Sequence, residues 1–174
     1  MEVEAAIHGY RVIRRFIERP IPDDALAAIL HAGRRTASSK NEQRWHFIVI
    51  RDRPRLTALT RVGHYADHLA GAALAIALVT PDPAARGPHS IMWDLGRAAQ
   101  NMTLLAWSRG IGSAPATVYD QPLCRSILAC PADRRCEYIL SFGYPARPEE
   151  LSRPLRPGGR QPLAEMVSEE AWPS

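Results

Sequence analysis

The stretch from Ile91 to Ser113, IMWDLGRAAQNMTLLAWSRGIGS, constrains this chain more than any other. Apolar or small side chains return at Ile91, Leu95, Ala98, Ala99, Met102, Leu105 and Ala106, a three–four spacing that matches the 3.6-residue helical period. No proline interrupts it, and Gly110 and Gly112 supply the kind of stop at which helices end. A helix of about 19 residues is about 28 Å long, enough to cross a small domain. It is apolar on more than one side, which predicts a central position or a subunit interface. Gly96, Ala98 and Ala99 leave room for another backbone, while Asp94, Gln100 and Asn101 are polar in an apolar surround.

The remaining elements arrange themselves around this helix. Residues 2–9 read as a short helix, and a second starts behind Pro20-Ile21-Pro22 and runs to about Arg35, with Asp23 and Asp24 in its first turn. Thr36 to Arg44 is a polar loop that passes directly into the aromatic and β-branched run Trp45–Ile50, a strand. Helices are predicted over 53–62 and 64–73. Leu74–Val79 is a continuous apolar run, as expected of a strand buried on both faces. After the central helix come a short strand at 116–118, a helix over 121–129 and a strand over 137–142. From Pro145 the chain turns rich in proline, arginine and glycine, which predicts an extended arm over 145–174 with a last helix at 163–172. Helices and strands mix without a regular βαβ alternation, so the class is α+β. A chain of 174 residues, 46% apolar, suffices for one domain with its own core.

Composition excludes some functions. The net charge is +4, carried by scattered arginines with Lys40 the single lysine, and no aromatic-studded basic stripe suggests nucleic acid. No apolar run of membrane-spanning length and no signal-like N-terminus occurs, which predicts a soluble, cytoplasmic protein. Cys124, Cys130 and Cys136 lack a zinc or iron–sulfur spacing and read as reduced structural thiols. His64 and His68, four apart, could share a helical face as metal ligands, but no third ligand is evident. Gly110-Ile111-Gly112 opens like a dinucleotide fingerprint, yet it follows a helix rather than a strand.

Three constellations remain. Arg11 and Arg14 would share a face if residues 10–16 were helical, and two guanidiniums can grip a phosphate. Ser38, Ser39, Lys40, Asn41, Glu42 and Gln43 offer short hydroxyls and amides for the polar edge of a planar ligand. Arg160 stands in a Gly/Pro setting, Gly158-Gly159-Arg160-Gln161-Pro162.

The order of these pieces resembles the FMN-dependent nitroreductase family. Arg11-Val12-Ile13-Arg14-Arg15-Phe16 is similar to the family's Arg-Ser-x-Arg-x-Phe opening, and Ala37-Ser38-Ser39-Lys40-Asn41-Glu42-Gln43-Arg44-Trp45-His46-Phe47 to its Pro-Ser-x-x-Asn-x-Gln-Pro-Trp-x-Phe. Asp94–Ser113 looks like its central helix, and Gly143-Tyr144-Pro145-Ala146 with Arg160 like its closing elements. Val12, Ala37, Arg44 and Gly158 stand where the family pattern has serine, two prolines and lysine.

The resemblance implies a three-layer α-β-α sandwich with a mostly antiparallel central sheet, assembled as an intertwined homodimer. It implies FMN at the interface, held by Arg11, Val12, Arg14 and Arg160 at the phosphate and nearby flavin edge. Ser38, Ser39 and Asn41 of the other subunit would contact the flavin, and Ala114, Pro115 and Ala116 would lie against its face. It further implies NAD(P)H as electron donor, a nitroaromatic or quinone as acceptor, and no catalytic side chain, since the flavin carries the redox chemistry. The same fold and cofactor could instead serve dehalogenation, flavin fragmentation or dehydrogenation of a small substrate. A binding module without enzymatic activity is the alternative of another class.

Overall fold

The computed structural model describes residues 1–82, 88–154 and 159–172. Four strands, β1 (His46–Ile50), β2 (Leu74–Pro81), β3 (Gly112–Thr117) and β4 (Arg134–Gly143), form one sheet in the order β1-β2-β4-β3. Every neighbouring pair is antiparallel. The continuous apolar run of β2 is buried from Leu74 to Thr80, as a strand covered on both faces must be. Its alternate residues separate two cores. Leu74, Ile76 and Leu78 face α2 (Asp23–Arg34) and α4 (Pro88–Ser108). Ala75, Ala77 and Val79 face α3 (Arg53–Leu59) and α5 (Gln121–Leu128). The result is the helix–sheet–helix sandwich expected from the motif order.

α4 is the predicted central helix, shifted. It starts at Pro88 and stops at Ser108, so Gly112 and Ser113 belong to β3. Its end is a Schellman turn. Gly110, at φ 73°, donates to Trp107 O at 2.9 Å, and Ile111 donates to Ala106 O at 2.9 Å. That turn sends the chain straight into β3. Leu95, Met102 and Ala106 fill the core beneath, where burying each large side chain stabilises by about 1.5–3 kcal/mol. Ala98 is itself fully buried within this chain, whereas Gly96 is open and a side-chain carbon there would meet nothing.

Three predicted elements differ. Residues 10–16 are not helical: they run extended to a bridge between Phe16 and Pro145. The cause is close backbone approach at the sheet's end. A β-carbon on Gly112 would stand 2.6 Å from Ile13 Cβ, and one on Gly143 2.7 Å from Phe16 Cγ, so the glycines let these side chains lie flat on the strands. Ile13 N donates to Ser113 O and Ile17 N to Tyr144 O, each at 2.9 Å. Second, residues 64–73 hold only a 3₁₀ turn, Asp67–Leu69. Ala66, Leu69 and Ala72 bury every third residue, the period of that tighter helix. Third, the last helix reduces to a 3₁₀ turn, Leu163–Glu165. Leu163, Met166, Val167 and Trp172 stay exposed, and a short helix with no face to bury is not sustained in water. The arm's beginning does dock: Ala146 N donates to Arg15 O, and Leu151 packs on the cluster of Ala6, Ile13 and Trp107. Gly158 lies outside the described residues. Among the described residues no helix is long and apolar enough to cross a membrane.

Candidate functional site

The loop that precedes β1 has little regular structure of its own, yet it is fixed. One polar stripe of α4 holds it: Ser90, Asp94, Arg97 and Asn101, spaced four, three and four, share a helical face. Asp94 is buried and accepts from Ser39 N at 2.8 Å and, more weakly, from Ser39 Oγ at 3.5 Å. Asn101 Nδ2 donates to Thr36 Oγ1 at 2.7 Å, Arg97 Nη1 to Ala37 O at 3.2 Å, and Arg44 Nη2 to Ser90 Oγ at 2.7 Å. Within the loop Gln43 N donates to Ser38 Oγ at 2.9 Å, and Gln43 Nε2 donates to Asn41 Oδ1 at 3.2 Å. Lys40, Asn41 and Gln43 all sit at φ near +50°, a left-handed conformation that non-glycine residues adopt at a cost. Of this stripe only Asp94 and Asn101 had shown in the sequence as polar residues on an apolar helix, and what they hold had not. Ser39 thus turns its amide toward Asp94, while Lys40 and Asn41 are exposed.

The second cluster lies on the extended N-terminal segment and β3. Ile13 is buried and its neighbours Val12 and Arg14 face outward, as alternation along an extended chain requires. Arg11 is half-buried. Its guanidinium stands 5.9 Å from the Trp107 ring centre and donates to Arg153 O at 2.5 Å. Arg14 has no hydrogen bond or ion pair to any described residue. Its donors are unspent. Arg160 donates to the adjacent Gly159 carbonyl and to nothing else among the described residues. On β3, Ala114 and Ala116 are buried and Pro115 is exposed, so this edge strand offers backbone and one proline ring to the outside. Pro115, Met92, Gly96, Ala99 and Tyr138 line an apolar cavity of about 380 Å³ between α4 and the sheet.

Behind β3 stands a residue to which the sequence assigned only a dismissed metal role. His68 Nδ1 lies 2.8 Å from Ser141 Oγ, which in turn donates to Ala114 O at 3.2 Å. Burial lowers the His68 pKa from its ordinary value, and the nearby Arg14 charge lowers it further, against the opposing Pro115 carbonyl and Asp67. His64, by contrast, is exposed and stacks on Tyr119 at 4.9 Å. Among the described residues no cluster of histidine, cysteine and acidic side chains is placed to hold a metal. The three cysteines are free. Cys136 Sγ donates to Tyr138 O at 3.3 Å, and its nearness to Cys124 lowers the pKa of Cys124 and, with burial, raises that of Cys136.

The loop and the Arg11 side chain meet α4 far apart. Ser39 is tied to Asp94 and Arg11 rests on Trp107, almost four turns further on, roughly 20 Å at about 1.5 Å per residue.

Comparison with known proteins gives a consistent result. The Nitroreductase family model matches residues 7–61 and 55–144. A protein of Archaeoglobus fulgidus, provisionally named NADH dehydrogenase/NAD(P)H nitroreductase, is 33% identical over 145 residues, covering 80% of this chain and 83% of its own. A provisionally assigned nitroreductase of Desulfovibrio desulfuricans, solved in complex with FMN, is 29% identical with a TM-score of 0.81 over 99% of both chains. The NADPH:FMN oxidoreductase of Vibrio harveyi, solved with NAD+, shares the fold at TM-score 0.85 and 21% identity, over 99% of this chain and 78% of that one.

Proposed function

The chain belongs to the nitroreductase family, and on that premise we propose that it is an FMN-dependent NAD(P)H oxidoreductase whose flavin sites are shared between two copies. The observation that carries the reading is the unspent guanidinium of Arg14 on a segment pinned beside an exposed edge strand. A permanently charged group with free donors on a fixed backbone suits an anionic cofactor, and arginine cannot lose that charge near neutral pH. The residues present therefore fit FMN. When bound, FMN supplies the redox chemistry, taking electrons from NAD(P)H and passing them to the acceptor.

The protein's part is to hold and orient. Arg11, Arg14 and Arg160 hold the phosphate and the adjoining flavin edge by charge-assisted hydrogen bonds. The backbone of Ala114, Pro115 and Ala116 would support one face of the ring. Arg14 would also place a permanent positive charge beside the bound cofactor. Ser38 and Asn41 would reach the ring from the second copy. The distance along α4 between Asp94 and Trp107, which separates the loop from the Arg11 side chain within one chain, supports this division. With Ser39 turned to Asp94, Ser38 and Asn41 are the loop's outward groups, and Ser39 acts by fixing their position. Exposed Leu163, Met166 and Trp172 give the arm an apolar surface for the partner copy. Nitroaromatics and quinones, planar and electron-poor, are the acceptors of choice for a site whose reductant is a flavin face.

The test is an absorbance spectrum of the purified protein followed by anaerobic NADH and NADPH titration. A yellow protein bleached by either nucleotide and recoloured by a quinone is expected. A colourless protein that takes up no added FMN would refute the reading.

A further inference from the structure

His68 is buried behind the strand that presents Pro115, and its hydrogen bonds fix its state. The Ser141 hydroxyl has one hydrogen, and it goes to the Ala114 carbonyl, which can only accept. Ser141 Oγ must therefore accept from His68, so Nδ1 carries the ring's proton. That leaves Nε2 with a bare lone pair, buried and without a partner. A buried polar atom left unpaired is costly and calls for an explanation.

The charges around the ring supply one. Arg14, on the N-terminal segment, opposes protonation, as does burial; Asp67, on the ring's own turn, and the Pro115 carbonyl on β3 favour it. Ser141, on β4, is neutral. Arg14 is thus the one cation in this balance, and it is also the group with unspent donors. An anion paired with Arg14 would cancel its repulsion of the imidazolium. The two events are then linked: whatever brings negative charge to Arg14 brings a proton to Nε2, and the reverse.

We propose that His68 is a proton-binding positioning residue of the flavin site, neutral while the cofactor is oxidised and protonated when the cofactor becomes anionic on reduction. This rests on the assignment of Arg14 to the flavin. The balance is simple. Two electrons and one proton reduce FMN to its anionic form, and a second proton, drawn from solvent, settles on His68 Nε2. On reoxidation by a two-electron acceptor that proton returns to solvent. His68 touches no reactant; it acts through Arg14 and through the Ser141–Ala114 link, which protonation leaves intact because Nδ1 remains a donor. The imidazolium gains its second acceptor in the Pro115 carbonyl beside it.

The experiment uses the holoenzyme and two readouts. The midpoint potential is followed against pH by spectroelectrochemistry, where each proton taken up with two electrons adds about 30 mV per pH unit. At pH values between the oxidised and reduced His68 titrations the parent should show a slope about one and a half times that of His68→Asn, a variant that keeps a donor for Ser141 but cannot be protonated. In parallel, the His68 ring resonances should titrate roughly one pH unit higher in reduced than in oxidised protein, the scale of a nearby charge. Equal slopes, or a His68 titration indifferent to the flavin's oxidation state, would overturn the proposal. Arg14→Ala separates the two layers of the argument. If it retains FMN as tightly as the parent, the assignment of Arg14 fails. If it loses affinity while the parent's His68 titration is unmoved by reduction, only the role of His68 fails.

Discussion

The N-terminal segment 10–17 and the loop 36–45 are both largely irregular, the loop holding only the 3₁₀ turn Ser39–Asn41, yet they are fixed in different ways. The first is held by backbone. Glycines at 112 and 143 admit Ile13 and Phe16 against the sheet, and main-chain hydrogen bonds to Ser113 and Tyr144 do the rest. Its arginine side chains are thereby left uncommitted to its position, and Arg14 is entirely so. The second is held by side chains: Asp94, Arg97 and Asn101 reach out from α4 to its backbone and hydroxyls. Polar groups of this loop are partly consumed in building it. A segment anchored by its backbone and apolar side chains can offer a cation such as Arg14 whole to a ligand; one anchored by its polar side chains offers only what remains.

The largest effect should come from removing what the first segment offers. Arg11→Ala with Arg14→Ala should weaken FMN binding by several kcal/mol, since hydrogen bonds to charged groups are worth roughly 1.5–3 kcal/mol each. Fluorescence titration with FMN measures it, and unchanged affinity would break the division between offering and anchoring. The anchors come next. Gly112→Val drives a branched side chain into Ile13 and should destabilise the fold by about 3 kcal/mol, the upper range for overpacking, seen in urea unfolding. Asp94→Ala strands the Ser39 amide and should cost on the order of 2 kcal/mol. Its signature is local, with faster proteolysis and amide exchange in residues 36–45 while the N-terminal segment stays protected. If both segments loosen together, the two anchoring systems are not separate.

The smallest effect is on pH. The fold favours neutral His68, so its folded pKa lies below the 6.5 of the unfolded chain. Between those two values the unfolded state binds more protons, so stability rises with pH there and is flat above. Acid therefore withdraws stability as pH falls below about 6.5. His68→Asn should flatten that limb in urea unfolding at several pH values; an unaltered profile would remove His68 as its source.

Much of this was legible in the sequence for a physical reason. The apolar runs at 45–50 and 74–79 and the period of α4 record burial directly, and burial is what the sheet and its two cores are made of. The motif order likewise brought Arg11, Arg14 and the loop forward as candidates. What sequence did not carry was context at a distance. Nothing local to residues 10–16 says that two glycines a hundred residues away will accept them as an extended edge; the Arg11–Arg14 spacing suits a helix equally well. Asp94 and Asn101 read as oddities until the loop they hold is seen. His68 reads as half of a metal pair until Ser141, far along the chain on β4, takes its ring. The terminal residues 163–172 have a helical pattern but no surface of their own chain to bury it against.

The central claim is that arginines from one copy and the loop from another complete a single flavin site. Complementation tests it most directly. One copy would carry Arg11→Ala with Arg14→Ala, the other Ser38→Ala with Asn41→Ala, each with its own affinity tag, co-expressed and purified through both. Each parent alone should bind FMN poorly. The mixed dimer should regain one intact site, formed by the arginines of the second copy and the loop of the first, and with it flavin absorbance bleached by NAD(P)H. A mixed dimer as colourless as its parents would contradict the account.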